Sequence, residues 1–124
     1  MDNTKEELNT MCKSIAEELD GYAYGELIYS ESEGGFIEND DEHEDDGLYS
    51  WLSNDALDIK VLTDLDGKEI YGARICVTFG GPNIYVDTDD GLVKGYWGCA
   101  RATAELSGSI CDTINDMIAE IRGC

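Results

Sequence analysis

Apolar residues recur every three to four positions near both ends of the chain, which is the spacing of a helix that buries one face. The first such segment covers about residues 5–20 and stops at Gly21, and the second follows Ser107 and continues to Gly123. Their apolar positions are Leu8, Met11, Cys12, Ile15, Ala16 and Leu19, then Ile110, Cys111, Ile114, Met117, Ile118 and Ile121. The pattern predicts an amphipathic helix at each end of the chain.

Between the two helical segments the apolar pattern changes to alternation, which is typical of strands with one buried face. Alternating segments lie at residues 57–62, 73–79, 84–86 and 92–97, separated by DLDG (64–67), GGPN (80–83) and TDDG (88–91). Asp-Gly and Gly-Pro pairs are typical of tight turns between antiparallel strands. The alternation places Ile84 and Val86 on the inward side, and it places Phe79 in the apolar phase of its strand with Ala73, Ile75 and Val77. The sequence therefore predicts an antiparallel β-meander of about four strands.

A helix, a β-meander and a second helix predict an α+β fold with two layers, in which the helices cover one face of the sheet. The length of 124 residues is that of one domain, so residues 1–124 are predicted to form a single unit. Residues 22–30 are aromatic and apolar, which fits either a short strand or a helical turn. Residues 31–48, the acidic segment, show no periodicity and are predicted to be irregular.

Charge is the most unusual property of the composition. Twenty-eight acidic residues oppose eight Lys and Arg, for a formal net charge of −20 at pH 7. A surface of this sign repels phosphate, whereas nucleic-acid-binding proteins need clustered basic residues. Repulsion also keeps copies of the chain apart, so a monomer or a small homo-oligomer is expected. We therefore expect a basic protein as partner and no direct binding of nucleic acid.

The cysteines and the N-terminal residues indicate the compartment. The five cysteines are odd in number and include no Cys-x-x-Cys pair, and the N-terminal residues lack the apolar run of a signal peptide. No segment approaches the ~20 apolar residues of a membrane span. We expect a cytoplasmic protein, located in the host cytoplasm if a phage encodes it. Cys12 and Cys111 occupy apolar helix positions and Cys76 lies inside a strand, so all three are expected to be small core residues.

Catalytic chemistry has few candidates in this chain. The single histidine, His43, lies among acidic residues that favour its charged form, and a charged imidazole is a poor activator of a nucleophile. The GGPN segment lacks the spacing of a phosphate-binding glycine loop. We predict that the protein is not an enzyme, has no catalytic residues and uses no cofactor.

Two Asp-rich turns resemble fragments of calcium-binding loops. DLDG (64–67) and DTDDG (87–91) place Asp beside Gly, but neither has the ligand spacing of an EF-hand loop with its Glu at position 12. Both lie between predicted strands, where Asp-Gly is normal turn chemistry. We therefore predict hairpin turns and no specific metal site, while a calcium-binding protein stays the third functional possibility.

Seven residues of FIENDDEHEDDGL (36–48) are acidic and none is Lys or Arg. A solvated surface, adaptation to high salt and imitation of DNA are three explanations for so much acid. Duplex DNA carries one charge per ~1.7 Å of its axis, so twenty charges correspond to ~34 Å of duplex. A compact chain of this length has a diameter of ~35 Å. The match in both size and charge favours DNA mimicry.

Small size, high acidity, an α+β pattern and no catalytic set together resemble the phage and mobile-element inhibitors of the anti-CRISPR and antirestriction kind, which imitate DNA. It is a resemblance of type, because those families share no sequence motif from which a functional residue can be transferred. The resemblance implies an inhibitor of the DNA-binding surface of a bacterial defence nuclease, either a CRISPR effector or a restriction enzyme. The alternative is an acidic protein-binding module or a halophile domain unrelated to defence.

The predicted partner-binding surface combines the acidic segment with one hairpin. Tyr85 lies opposite the inward-facing Ile84 and Val86, so its ring is available as an interface anchor. The acidic segment is expected to be mobile, and its six central acids are expected to be replaceable without loss of the fold. The complete predicted set is Asp40, Asp41, Glu42, Glu44, Asp45, Asp46, Tyr85, Asp87, Asp89 and Asp90.

Overall fold

The computed structural model describes residues 3–122, and all elements named below lie within that range. Its helices are α1 (Thr4–Ala23), α2 (Gly47–Asp55) and α3 (Gly108–Ile121). Two strands, β1 (Leu27–Ser30) and β2 (Gly35–Glu38), pair as an antiparallel hairpin. One antiparallel sheet contains, in this order, β3 (Asp58–Thr63), β4 (Ile70–Thr78), β5 (Asn83–Asp87), β6 (Leu92–Trp97) and β7 (Ala100–Glu105). The predicted α+β meander with a helix at each end is confirmed.

The described residues contain seven strands, whereas the sequence predicted about four. β7 was missed because its sequence, ARATAE, places alanine at the inward positions, and alanine is a weak strand former. β1 lies in residues 22–30, whose sequence fitted either a short strand or a helical turn. β2 lies in the acidic segment, so the prediction that this segment is irregular throughout is wrong. α2 was also missed, since its buried residues, Leu48, Trp51 and Leu52, follow helical spacing only over a short element.

The helices α1 and α3 cover one face of the five-stranded sheet. Ile75, Ile84, Val86 and Val93 point to this face and are fully buried in one core with both helices. α1 lies over β6 and β7, while α3 contacts α1 and β4. We call the side of the sheet opposite α1 and α3 the open face.

The Asp-Gly turns have the predicted backbone chemistry. Gly67, in the β3–β4 connection, has φ +71°, and Gly91, in the β5–β6 turn, has φ +69°. Side chains other than glycine rarely adopt this left-handed conformation, so glycine allows the chain to reverse there.

Burial agrees with the prediction for three cysteines but not for one aromatic residue. Cys12, Cys76 and Cys111 are all buried, although Cys76 lies on the open face, where it pairs with Tyr85 across the strands. Phe79 is 74% exposed instead of inward. The β4–β5 register shifts between Cys76 and Thr78, and such a bulge reverses the sides of the residues that follow it.

Two further expectations concern residues outside the part of the chain that the structure describes. The predicted end of the last helix at Gly123 and the fifth cysteine, Cys124, lie outside residues 3–122.

None of the helices described here has the length and the apolar character needed to cross a membrane.

Candidate partner-binding surface

The acidic residues are concentrated in the first half of the chain. Residues 1–57 contain seventeen Asp and Glu against two Lys, whereas residues 58–124 contain eleven against six basic residues. The first half comprises α1, the β1–β2 hairpin, α2 and the connection between β2 and α2. We call that connection, residues 39–46, the acidic loop. Most of the excess negative charge therefore belongs to α1, the β1–β2 hairpin, the acidic loop and α2.

Asp45 attaches the end of the acidic loop to the body of the protein. Its Oδ1 accepts hydrogen bonds from the backbone N–H groups of Tyr29, at 3.2 Å, and Gly47, at 2.9 Å. Its Oδ2 accepts a bond from the Tyr22 hydroxyl at 2.9 Å. Burial, together with this hydrogen bond and the charge of Asp45, raises the pKa of Tyr22 to about 12. The Asp45 carboxylate thus joins α1, β1 and the start of α2.

Asp46 has a similar anchoring function one residue later. Its Oδ2 accepts a hydrogen bond from the Glu31 backbone N–H at 2.8 Å, which connects the acidic loop to the turn of the β1–β2 hairpin. Asp45 and Asp46 therefore have structural roles that the sequence did not predict. The mobility of the acidic loop stays a prediction for the residues between Asp41 and Glu44.

His43 forms two ion pairs with neighbouring carboxylates. Its Nδ1 lies 3.0 Å from Asp40 Oδ1, and its Nε2 lies 3.4 Å from Glu33 Oε1. The hydrogen bond to Asp40 is the main reason why the pKa of His43 is raised, and the same bond lowers the pKa of Asp40. The predicted preference of His43 for its charged form is confirmed. Asp40 therefore faces a cation of the same chain.

The middle of the acidic loop carries three carboxylates without a partner in the described part of the chain. Asp41, Glu42 and Glu44 are exposed, and their carboxylates take part in no hydrogen bond or ion pair among residues 3–122. Of the six predicted acids in the loop, these three are free to bind basic groups of another protein.

The predicted acids of the β5–β6 turn form a separate group. Asp87 is buried, and its Oδ2 lies 3.2 Å from Lys94 Nζ. Asp90 also pairs with Lys94, and this contact is the largest cause of the raised pKa of Lys94. Asp89 is exposed. Because one lysine neutralises part of the charge of Asp87 and Asp90, this turn offers less negative charge to a partner than its sequence indicates.

Tyr85 lies on the open face, as its position opposite Ile84 and Val86 predicted. Its ring is 6.1 Å from that of Tyr96 between centroids, and Arg74 Cζ lies 4.4 Å from its centroid.

Residues paired across antiparallel strands share a face, so the pairings place half of the eight basic residues on the open face. They are Lys60, Arg74, Lys94 and Arg101. Their positions in the polar phase of the strands were a signal that the sequence analysis missed.

A cavity of about 490 Å³ lies between α1, the β1–β2 hairpin and α2. Phe36 and Trp51 form part of its apolar lining, and Glu18 and Asp55 contribute carboxylates. Burial raises the pKa of both carboxyl groups, and the charge of Asp55 adds to the effect on Glu18. Apolar walls with carboxylates suit the aliphatic stem and charged end of a Lys or Arg side chain.

No protein-family model, curated protein or solved structure matches this chain. Among residues 3–122, the His, Cys, Asp and Glu side chains form no group of three or more that could hold a metal ion.

Proposed function

We propose that this chain is an acidic inhibitor that imitates DNA and occupies the DNA-binding surface of a bacterial defence nuclease, either a CRISPR effector or a restriction enzyme. In this proposal the protein acts in the bacterial cytoplasm without catalysis, metal or cofactor, and its partner is a basic protein. The observation that carries the proposal is the concentration of seventeen acidic residues against two lysines in residues 1–57 of a folded chain.

The arrangement of the acidic loop supports this function. A groove that binds DNA presents Lys and Arg, which form charge-assisted hydrogen bonds with carboxylates as they do with phosphates. Asp45 and Asp46 hold the end of the loop, so the carboxylates of Asp41, Glu42 and Glu44 extend from a defined base. Because the end of the loop is fixed, the entropy lost on binding is limited to the residues from Asp41 to Glu44, which are predicted to be mobile.

The cavity beside α1 complements the loop. A basic side chain of the nuclease that enters it would place its charged end near Glu18 and Asp55, while its stem would pack against the apolar lining. The loop then provides negative charge over a wide area, and the cavity provides one specific anchor.

A competition experiment tests the proposal. The chain is titrated into complexes of fluorescent duplex DNA with purified CRISPR effectors and restriction endonucleases, and polarisation and DNA cleavage are followed. We expect displacement of DNA from a susceptible nuclease, with an affinity that falls steeply between about 50 and about 500 mM salt, because both ligands use the same basic groove. Binding that is insensitive to salt and simultaneous with DNA would instead indicate an acidic protein-binding module.

Two charge-matched variants locate the surface. One replaces the free loop acids (Asp41→Asn, Glu42→Gln, Glu44→Gln), and the other replaces three exposed acids of α3 (Asp112→Asn, Asp116→Asn, Glu120→Gln). Both lose three negative charges, but only the first changes the acidic loop. We expect a slower association rate for the loop variant than for the α3 variant, with little change in dissociation. Equal rates for the two variants would remove the loop from the interface.

A further inference from the structure

A second cavity, of about 420 Å³, lies on the open face between β3, β4 and β5. It lies on the face that carries half of the basic residues, and its described lining contains no residue of the acidic loop. Leu57 lines both this cavity and the cavity beside α1. One end of it is apolar and the other carries two cations, and the buried Cys76 is also part of its lining. Cavities with apolar walls and a few charged groups are typical sites for small molecules.

The apolar end consists of side chains that the protein itself does not cover. Phe79 is 74% exposed and Leu57 is 62% exposed, although both line the cavity. Phe79 reaches this side of the sheet only because of the β-bulge before it. Leaving large apolar side chains in water forgoes the hydrophobic stabilisation of burial, so neighbouring exposed apolar residues at a cavity indicate a ligand.

The cationic end consists of Lys60 and Arg74, which are paired across β3 and β4. Lys60 is exposed and forms no ion pair among the described residues. Arg74 lies over the Tyr85 ring, and 39% of its side chain is exposed. Both cations are therefore accessible to a ligand from the cavity.

Arg74 is held only weakly by a carboxylate within residues 3–122. Its buried Nε has no hydrogen-bond partner there, since the nearest carboxylate oxygen, Asp87 Oδ2, is 4.0 Å away and lies closer to Lys94. A guanidinium group that neighbouring acids hold only loosely keeps N–H donors for the oxygens of a bound anion.

The charge of the lining limits the ligand. Among the described lining residues, Lys60 and Arg74 oppose the carboxylate of Asp58. Asp87 lies 4.0 Å from Arg74 but is shared with Lys94 at 3.2 Å, so the cavity balances at most one negative charge on a ligand. The net charge of −20 on the chain repels highly charged anions such as polyphosphates at long range. We propose that this cavity binds a small amphipathic monoanion, an aromatic or aliphatic carboxylate whose charged group pairs with Lys60 and Arg74 and whose apolar body packs against Phe79.

The test uses anilinonaphthalene sulfonate, a fluorescent monoanion with an aromatic body, and phenylnaphthylamine, which lacks the sulfonate. We expect one saturable site for the sulfonate and binding of the neutral probe that is weaker by about tenfold, the effect of about one charge-assisted hydrogen bond. Naphthoate should displace the sulfonate, whereas the uncharged naphthamide should not. Equal affinity for charged and neutral probes would overturn the proposal.

Variants assign the site to the cavity. Lys60→Met with Arg74→Met should weaken sulfonate binding about tenfold or more and leave the neutral probe unaffected. Lys68→Met, at an exposed lysine in the β3–β4 connection outside the cavity, is the matched control and should change neither. If the control variant loses as much affinity as the double variant, the probe is binding nonspecifically and the cavity is not the site.

Two further substitutions keep the test decisive if the double variant is unstable. Asp58→Asn removes the one carboxylate among the described lining residues and should tighten sulfonate binding without affecting the neutral probe. Phe79→Ser should weaken both probes, whereas Leu65→Ser, at a fully exposed apolar residue outside the cavity, should weaken neither. Unchanged binding in both Asp58→Asn and Phe79→Ser would refute the site. These results are independent of nuclease inhibition, which the proposed function assigns to the acidic loop and the cavity beside α1, because none of the substituted residues is part of the described lining of that cavity.

Discussion

At the scale of single residues, acids of the same loop have different functions. The Asp45 carboxylate accepts three hydrogen bonds, two from backbone N–H groups and one from Tyr22, whereas Glu44 next to it is exposed and has no described partner. We predict that Asp45→Ala lowers the free energy of unfolding by about 1–3 kcal/mol, because it leaves these donors without their acceptor. Urea denaturation measures this change as a lower midpoint with an unchanged slope.

Glu44→Ala is the control for this prediction, since it removes the same charge at an adjacent position. It should change the free energy of unfolding by less than about 0.5 kcal/mol, as is usual for surface substitutions. Equal destabilisation by both variants would mean that the loss of stability does not come from the hydrogen bonds of Asp45.

At the scale of elements, α1 depends on small residues in the strands beneath it. Gly95 on β6 and Ala102 on β7 are buried beneath this helix. A Cβ atom at Gly95 would lie 2.6 Å from Cys12 Sγ and 2.7 Å from Leu8 Cδ1, both of which belong to α1. We predict that Gly95→Ala destabilises the protein by about 1–3 kcal/mol, because the buried side chains of Cys12 and Leu8, or α1 with them, would have to move away from the sheet. Thermal denaturation followed by circular dichroism tests this.

Gly108 provides the matched glycine for comparison. It is the first residue of α3, its φ is not positive, and a Cβ atom there meets nothing within 4 Å. Gly108→Ala should therefore be neutral or slightly stabilising, because alanine restricts the unfolded chain more than glycine does. A Gly95→Ala variant as stable as Gly108→Ala would show that α1 does not approach β6 as closely as described.

At the scale of the whole molecule, the net charge of −20 opposes the compact state. Folding brings the acids of α1, the hairpin, the acidic loop and α2 closer together than they are in the unfolded chain. Salt weakens their repulsion, because the screening length is ~10 Å at ~0.1 M and charges further apart than this hardly interact. We predict that the melting temperature rises between about 20 and about 200 mM NaCl and then levels off. Sulfate at equal ionic strength should give the same early rise, since screening depends on ionic strength. If the melting temperature did not increase over this range of salt, repulsion between the acids would contribute little to stability.

The candidate site was predictable only in part. The acidic loop and the outward position of Tyr85 follow from composition and alternation, which are local properties of the sequence. Asp45 and Asp87 could not be distinguished from their neighbours, because their partners, Tyr22 and Arg74 among them, are distant in the sequence. The cavity at Phe79 also depends on a strand register that alternation alone does not reveal.

The sequence by itself determined the two terminal helices, the antiparallel order of the central strands and the Asp-Gly turns, because periodicity and turn chemistry act over a few residues. Tertiary structure alone decided that the alanines of β7 form a strand, since the pairing with β6 and the cover of α1 compensate for a weak strand propensity. It also decided how charge is distributed in space. Pairing across strands collected Lys60, Arg74, Lys94 and Arg101 on one face, because hydrogen bonds between distant segments set which side chains meet.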